Sequence, residues 1–180
     1  MVSSDQMAPA VALALSFDAI YDEHLDFVWR SLRRLGVGAE GLDDAVQEVF
    51  LAVHRRLPQF QPRAKVSTWL FSICLKVASD VRRRLRRKPP GELLHTSMVD
   101  PALGPHELTA QAQALRELDA VLEELEAEKR AVFVMAEIEQ MTAPEIADVL
   151  GENLNTVYSR LRAARLEFDR ALTRFKARRR

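Results

Sequence analysis

One cysteine, six glycines and an aromatic content of 7% in 180 residues close several routes at the outset. A single thiol, Cys74, cannot form an internal disulfide or supply the paired cysteines of a structural zinc site. Lying in an apolar helical stretch, it reads as a buried, inert thiol, and a chain without disulfides fits the reducing cytoplasm. Scarce glycine and aromatic residues disfavour β-sandwiches and barrels and favour helices. No apolar run approaches the roughly 20 residues that cross a bilayer. The run Val11-Ala12-Leu13-Ala14-Leu15 is short, and Asp5 is the only charge before it, so no basic segment marks a secretory leader. Residues 1–16 read as an N-terminal arm or the first turns of a helix. The four histidines (His24, His54, His95 and His106) are scattered. With no metal-ligand spacing, phosphate-binding loop or nucleophile motif, the chain reads as a binding protein without metal, cofactor or catalytic centre.

Net charge is also lacking, at +0, but its distribution is uneven. From Arg82 to Lys88 six of seven residues are basic, and Arg160 to Arg180 holds nine basic residues against Glu167 and Asp169. Between Glu107 and Glu139, nine acids face only Arg116, Lys129 and Arg130. Binding responds to local potential rather than to the sum, so two cationic segments beside an acidic one are compatible with a nucleic-acid partner.

Half of the eight prolines fall between Pro89 and Pro105, where no helical period survives. Residues 89–110 therefore read as a linker between a domain at 17–88 and a second at 111–180. In the first domain Leu42, Ala45, Val46, Val49, Phe50, Val53 and Leu57 recur at three- and four-residue steps, predicting one buried helical face. Pro58 ends that helix, residues 59–66 form a loop, and Ser67 or Thr68 is placed to cap the next helix. That helix carries Trp69, Leu70, Ile73, Val77 and Val81 inward and runs into the arginine cluster. In the second domain Leu115, Leu118, Leu122, Leu125, Val132, Met135 and Ile138 predict one long amphipathic stretch or two helices broken near Glu126-Ala127-Glu128. The fold class is all-α, in two small helical domains.

The most informative local pattern is Thr142-Ala143-Pro144-Glu145, a capping box with proline where first-turn amides lack acceptors anyway. A short helix over residues 145–150 ends at Gly151, and Asn155 is placed to cap a helix from Thr156 onward. A capped helix, a glycine-marked turn and an arginine-rich helix make a helix-turn-helix. The first helix braces the second, whose leading side chains reach base edges in the major groove. Those would be Asn155, Thr156, Tyr158, Ser159 and Arg162, with Arg160, Arg165 and Arg170 neutralising phosphates. Val157, Leu161, Ala164 and Phe168 have the spacing of core. The same geometry serves proteins that never touch DNA, and an arginine-rich helix is often only a solvated face.

Three stretches together resemble the sigma-70 family of bacterial RNA polymerase subunits, in its small two-domain extracytoplasmic-function group. Leu42-Asp43-Asp44-Ala45-Val46-Gln47-Glu48-Val49-Phe50 is similar to the family's polymerase-docking helix. Thr68-Trp69-Leu70-Phe71-Ser72-Ile73 resembles the start of its next helix, and Arg130 through Arg165 resembles its fourth region, including Thr156-Val157-Tyr158-Ser159-Arg160-Leu161-Arg162. The resemblance implies that Asp44, Gln47, Glu48 and Phe50 dock on the clamp of core polymerase. It implies that the loop from Phe60 to Val66, Lys65 included, forms part of a pocket with Trp69 and Lys76 for a flipped base of the melted minus-ten strand, and that Arg82, Arg83, Arg86 and Arg87 follow its phosphates. The second domain would read the minus-35 element as duplex, and an anti-sigma factor becomes a possible partner beside core polymerase and promoter DNA. Two positions depart from the pattern. Lys76 stands where asparagine is usual, and Tyr158 where a basic residue is common, so promoter sequence does not transfer from relatives. A stand-alone helix-turn-helix regulator and a sigma mimic that sequesters a regulator are the competing readings. The first leaves the docking-like helix unexplained, and the second leaves the basic helix unexplained.

Overall fold

The computed structural model describes residues 16–61, 65–87 and 110–178. The predicted arm, apart from Ser16, and the predicted linker, apart from Ala110, lie outside them. Seven α-helices occupy the described residues, with no strand among them.

Helix α1 (Phe17–Arg34) opens where the Ser16 hydroxyl accepts the Ala19 amide at 3.1 Å. Asp18 in its first turn and Arg33 and Arg34 in its last complement the helix dipole. Helix α2 (Ala39–Arg56) buries Leu42, Ala45, Val46, Val49, Phe50 and Val53, the predicted face except for Leu57, which lies half-buried beyond the helix end. It passes into a 3₁₀ turn, Leu57–Gln59, where Pro58 stops the α-helix. Helix α3 (Val66–Arg87) begins earlier than expected, so Ser67 and Thr68 lie inside it rather than capping it, and Thr68 is buried. Leu70, Ile73 and Val77 point inward as predicted, whereas Trp69 and Val81 are only half-buried. These three helices form one bundle around Leu32, Val49, Val53, Leu70 and Phe71, each fully buried.

The second unit starts with α4 (Ala110–Glu123) and α5 (Ala127–Phe133), and the break falls where the acidic run predicted it. Leu115 is the exception to the predicted stripe, being exposed. Helix α5 widens into a π turn, Val134–Ile138, with the Glu139 amide donating to the Val134 carbonyl at 3.0 Å. Helices α6 (Ala143–Leu150) and α7 (Leu154–Ala177) complete it. Along α7, Val157, Leu161 and Ala164 are buried as predicted, and Phe168 stacks on Phe133 with ring centroids 4.4 Å apart.

The two units touch. Arg33 pairs with Asp119 at 3.0 Å and Arg34 with Glu139 at 3.5 Å. Beside these pairs, and within the first unit, the Arg82 guanidinium donates to the Leu35 carbonyl at 2.7 Å. Arg130 of α5 lies over Gly36, whose φ of +88° suits glycine, and a Cβ there would collide with the guanidinium.

Candidate nucleic-acid and polymerase interfaces

The helix-turn-helix is held at both of its joints. The Thr142 amide donates to the Glu145 carboxylate at 2.7 Å, and the Glu145 amide donates to the Thr142 hydroxyl at 3.5 Å, completing the predicted capping box. At the other end Gly151 takes a left-handed φ of +65°, and the Glu152 amide returns to the Ala147 carbonyl at 3.1 Å. The cap of α7 is Asn153, not Asn155: its side-chain oxygen accepts the Thr156 amide at 2.8 Å. The helix therefore starts earlier than predicted, and Asn155 sits in its first turn with an exposed side chain. Buried Ile146 and Val157 pin α6 to α7.

Those hydrogen bonds hold the Glu145 carboxyl below the ordinary carboxylate range. A depressed pKa means that the stabilisation is present above that range and is lost as pH falls through the shifted value. Glu145→Gln is expected to lower the melting temperature near neutrality, with the gap to the parent protein closing in acid; thermal melts of both across pH check this. Thr142→Ala is expected to cost about 1 kcal/mol as a lost cap.

Asn155, Tyr158, Ser159 and Arg162 form one exposed face of α7, and Thr156 is half-buried beside them. Arg160 points elsewhere. Its guanidinium lies 3.1 Å from Glu128 and 3.5 Å from Glu152, with only 20% of the side chain exposed. It ties α7 to α5 and to the turn, a bracing position rather than the outward one predicted. Arg165 reaches Glu137 at 2.7 Å but stays exposed. A surface pair of this kind is worth about 0–1 kcal/mol, so a phosphate can displace the carboxylate.

The first bundle brings Phe60 and Trp69 together, with ring centroids 4.7 Å apart and planes tilted by 46°. Lys65 is exposed just before α3, and Lys76, two helical turns beyond Trp69 and on the same face, is exposed as well. Residues 62–64 of the predicted pocket loop lie outside the described residues. Arg83 is exposed and pairs with Asp80 at 2.7 Å. Arg82 departs from the prediction: half-buried and bonded to Leu35, it faces the second unit, and burial draws its pKa down, with the Arg86 charge adding to this.

On α2, Asp44 and Gln47 are exposed. Glu48 receives the Arg84 guanidinium on both oxygens, at 2.8 and 2.7 Å. Phe50, predicted as a docking residue, is 4% exposed beneath Tyr21 (centroids 4.6 Å apart) and edge-on to Phe17 (6.3 Å). Its place in the buried three-four spacing decided this, so it anchors the helix instead of meeting a partner. Leu51, one turn beyond Gln47 and 59% exposed, was missed. The available signal was an apolar residue standing outside the buried stripe. No cluster able to hold a metal occurs among the described residues, and no helix among them is long and apolar enough to cross a membrane.

Comparison with known proteins agrees with this geometry. Residues 20–88 match Sigma-70 region 2, and residues 115–168 match Sigma-70, region 4. The chain is 32% identical over 156 residues to the ECF RNA polymerase sigma factor SigL of Mycobacterium tuberculosis, covering 86% of this chain and 88% of SigL. It is also 32% identical over 154 residues to SigE of Mycolicibacterium smegmatis, covering 83% of this chain but spanning only 59% of SigE. The solved structure of CnrH in complex with the cytosolic domain of CnrY superposes with a TM-score of 0.64 at 25% identity, over 95% of this chain and 98% of that one. Two helical units, one with an exposed acidic face on α2 and one with a braced helix-turn-helix, match the two regions of a sigma-type transcription-initiation subunit. Within that class the chain belongs to the ECF RNA polymerase sigma factors. Such factors are initiation subunits and not themselves catalysts.

Proposed function

We propose that the chain confers promoter recognition on core RNA polymerase in the cytoplasm, through three surfaces. The exposed face of α2 (Asp44, Gln47 and Leu51, with Glu48 held at its edge by Arg84) docks on the polymerase. Asn155, Thr156, Tyr158, Ser159 and Arg162 read the minus-35 duplex, with Arg165 contacting phosphate after leaving Glu137 and Arg160 holding the helix in place. Phe60 and Trp69 supply an aromatic platform for an unstacked base of the minus-ten strand, with Lys65, Lys76 and Arg83 along the backbone and Arg82 joining them once released from Leu35. Residues 17–88 and 111–180 act as the two functional units and 89–110 as their tether. Neither unit needs high affinity alone, because joining both to one polymerase raises their effective concentrations. The neighbour CnrH was solved in complex with the cytosolic domain of CnrY, which supports a protein partner other than polymerase for this chain too, an anti-sigma factor being the kind expected.

The observation that carries the reading is the outward set of Asn155, Tyr158, Ser159 and Arg162 on a helix fixed at its start by Asn153 and from behind by Ile146. Arg162→Ala is expected to weaken minus-35 binding by about 1–3 kcal/mol, roughly 5- to 150-fold, and to relax preference at one base pair. Holoenzyme reconstituted with core polymerase and selected on random duplex checks this; an unchanged selected sequence counts against the assignment.

A further inference from the structure

Residues seven apart on a helix share a face, because two turns take about 7.2 residues. On α3, Trp69, Lys76 and Arg83 stand at that spacing, and Arg87 follows one turn after Arg83. Leu70, Val77 and Arg84 form the neighbouring stripe, in which Leu70 and Val77 are buried in the bundle. Arg84 therefore stands where the core-facing stripe outlasts the core, on a helix packed against α2. It turns to Glu48. A single guanidinium nitrogen, Nη2, donates to both carboxylate oxygens, at 2.8 and 2.7 Å. Glu48 raises the Arg84 pKa, with smaller contributions from Asp80 and Asp44, so the surroundings of this arginine are acidic. A phosphate approaching it would meet the carboxylates of Glu48 and Asp44. Arg87, by contrast, lies exposed on the face shared with Trp69 and Lys76.

We propose that Arg84 belongs to the polymerase-docking surface and not to the path of the DNA, as a positioning residue that fixes the Glu48 carboxylate for a basic group of the polymerase. The inference rests on the promoter-subunit reading and divides the arginine run between two partners. A free glutamate on the docking face would have to be ordered when the polymerase arrives, and that ordering costs affinity. Held beforehand by Arg84, it has less freedom to lose. Each carboxylate oxygen keeps a second lone pair, so a carboxylate gripped by one nitrogen still accepts from a partner cation. Arg84 also places a positive charge near a face that meets a basic partner. That repulsion is partly cancelled by Glu48 itself and screened by salt, and it acts on the rate of encounter, whereas ordering acts on the lifetime of the complex. The two effects are therefore separable.

The test follows binding and release of core polymerase by the full chain and by Arg84→Ala, Arg84→Lys, Glu48→Gln and the pair Arg84→Ala/Glu48→Gln, after circular dichroism confirms helix content. Arg84→Ala is expected to speed dissociation by about 2- to 10-fold, the cost of ordering one long side chain, with association unchanged or slightly faster. Arg84→Lys, whose single ammonium can serve both oxygens, is expected to restore the parent lifetime. In the Glu48→Gln background, Arg84→Ala is expected to add nothing further. A second measurement titrates promoter binding by the assembled holoenzyme against salt. Arg87→Ala is expected to make the slope shallower by about one, as a lost phosphate contact does, while Arg84→Ala keeps the parent slope. A lifetime unmoved by Arg84→Ala, a full further loss in the Glu48→Gln background, or a shallower slope for Arg84→Ala overturns the assignment. Failure of parent and variants alike to bind polymerase would instead sink the promoter-subunit reading, and the role of Arg84 with it.

Discussion

Asp44→Lys combined with Gln47→Lys is expected to abolish co-purification with core RNA polymerase while leaving the helical spectrum unchanged. Both side chains are exposed on the outer face of α2, away from its buried stripe of Leu42, Ala45, Val46, Val49, Phe50 and Val53, so their replacement leaves the bundle's core intact. Central interface residues lose about 2 kcal/mol or more on truncation, near 30-fold each, and charge reversal adds repulsion against a basic partner surface. The combined loss is expected to approach a thousandfold. Glu48 is a poorer probe, because reversing it also severs its two contacts with Arg84 and sets two cations together. Pull-down with tagged core polymerase, calibrated by titration, measures the effect; normal recovery of the double variant would remove α2 from the docking surface.

Phe60→Ala carries the second large expectation. Promoter binding as closed duplex is expected to persist while strand opening falls by about 5- to 150-fold, since stacking of a base on an aromatic ring is worth about 1–3 kcal/mol. Phe60 is the cleaner target of the pair. It lies beside the 3₁₀ turn against Trp69, whereas Trp69 is half-buried at the start of α3 and packs on the core, so its truncation would mix stability with recognition. Permanganate reactivity of unpaired thymines on a cognate promoter reports opening, and retained reactivity in the variant would show that the aromatic pair merely closes off the bundle.

The helices, their buried faces and the capping box were readable because period and cap chemistry are local properties. The stripe of α2 follows from a 3.6-residue repeat, and Thr142 and Glu145 meet because three residues separate them. What was misjudged depended on contacts distant along the chain. Nothing near Arg160 or Arg82 shows that Glu128 or the Leu35 carbonyl will claim it, and an arginine cluster looks solvated until its partners are placed. Phe50 was misassigned for the opposite reason: the resemblance gave it a docking role although its own spacing had marked it as buried. Asn153 and Asn155 both suit a cap, and the choice falls to the earlier one because the turn after Gly151 is short enough for α7 to start at Leu154. The contact between units was invisible to periodicity, since Arg33, Arg34, Asp119 and Glu139 look like ordinary surface charges.

Cys74 lies fully enclosed in the first bundle, and burial pushes its thiol pKa far up, so that almost none of it is thiolate at neutral pH. The chain has no other sulfhydryl. A fluorophore or spin label directed at cysteines engineered on the outside would therefore react only where it was sent, and the native residue could stay in place during distance measurements.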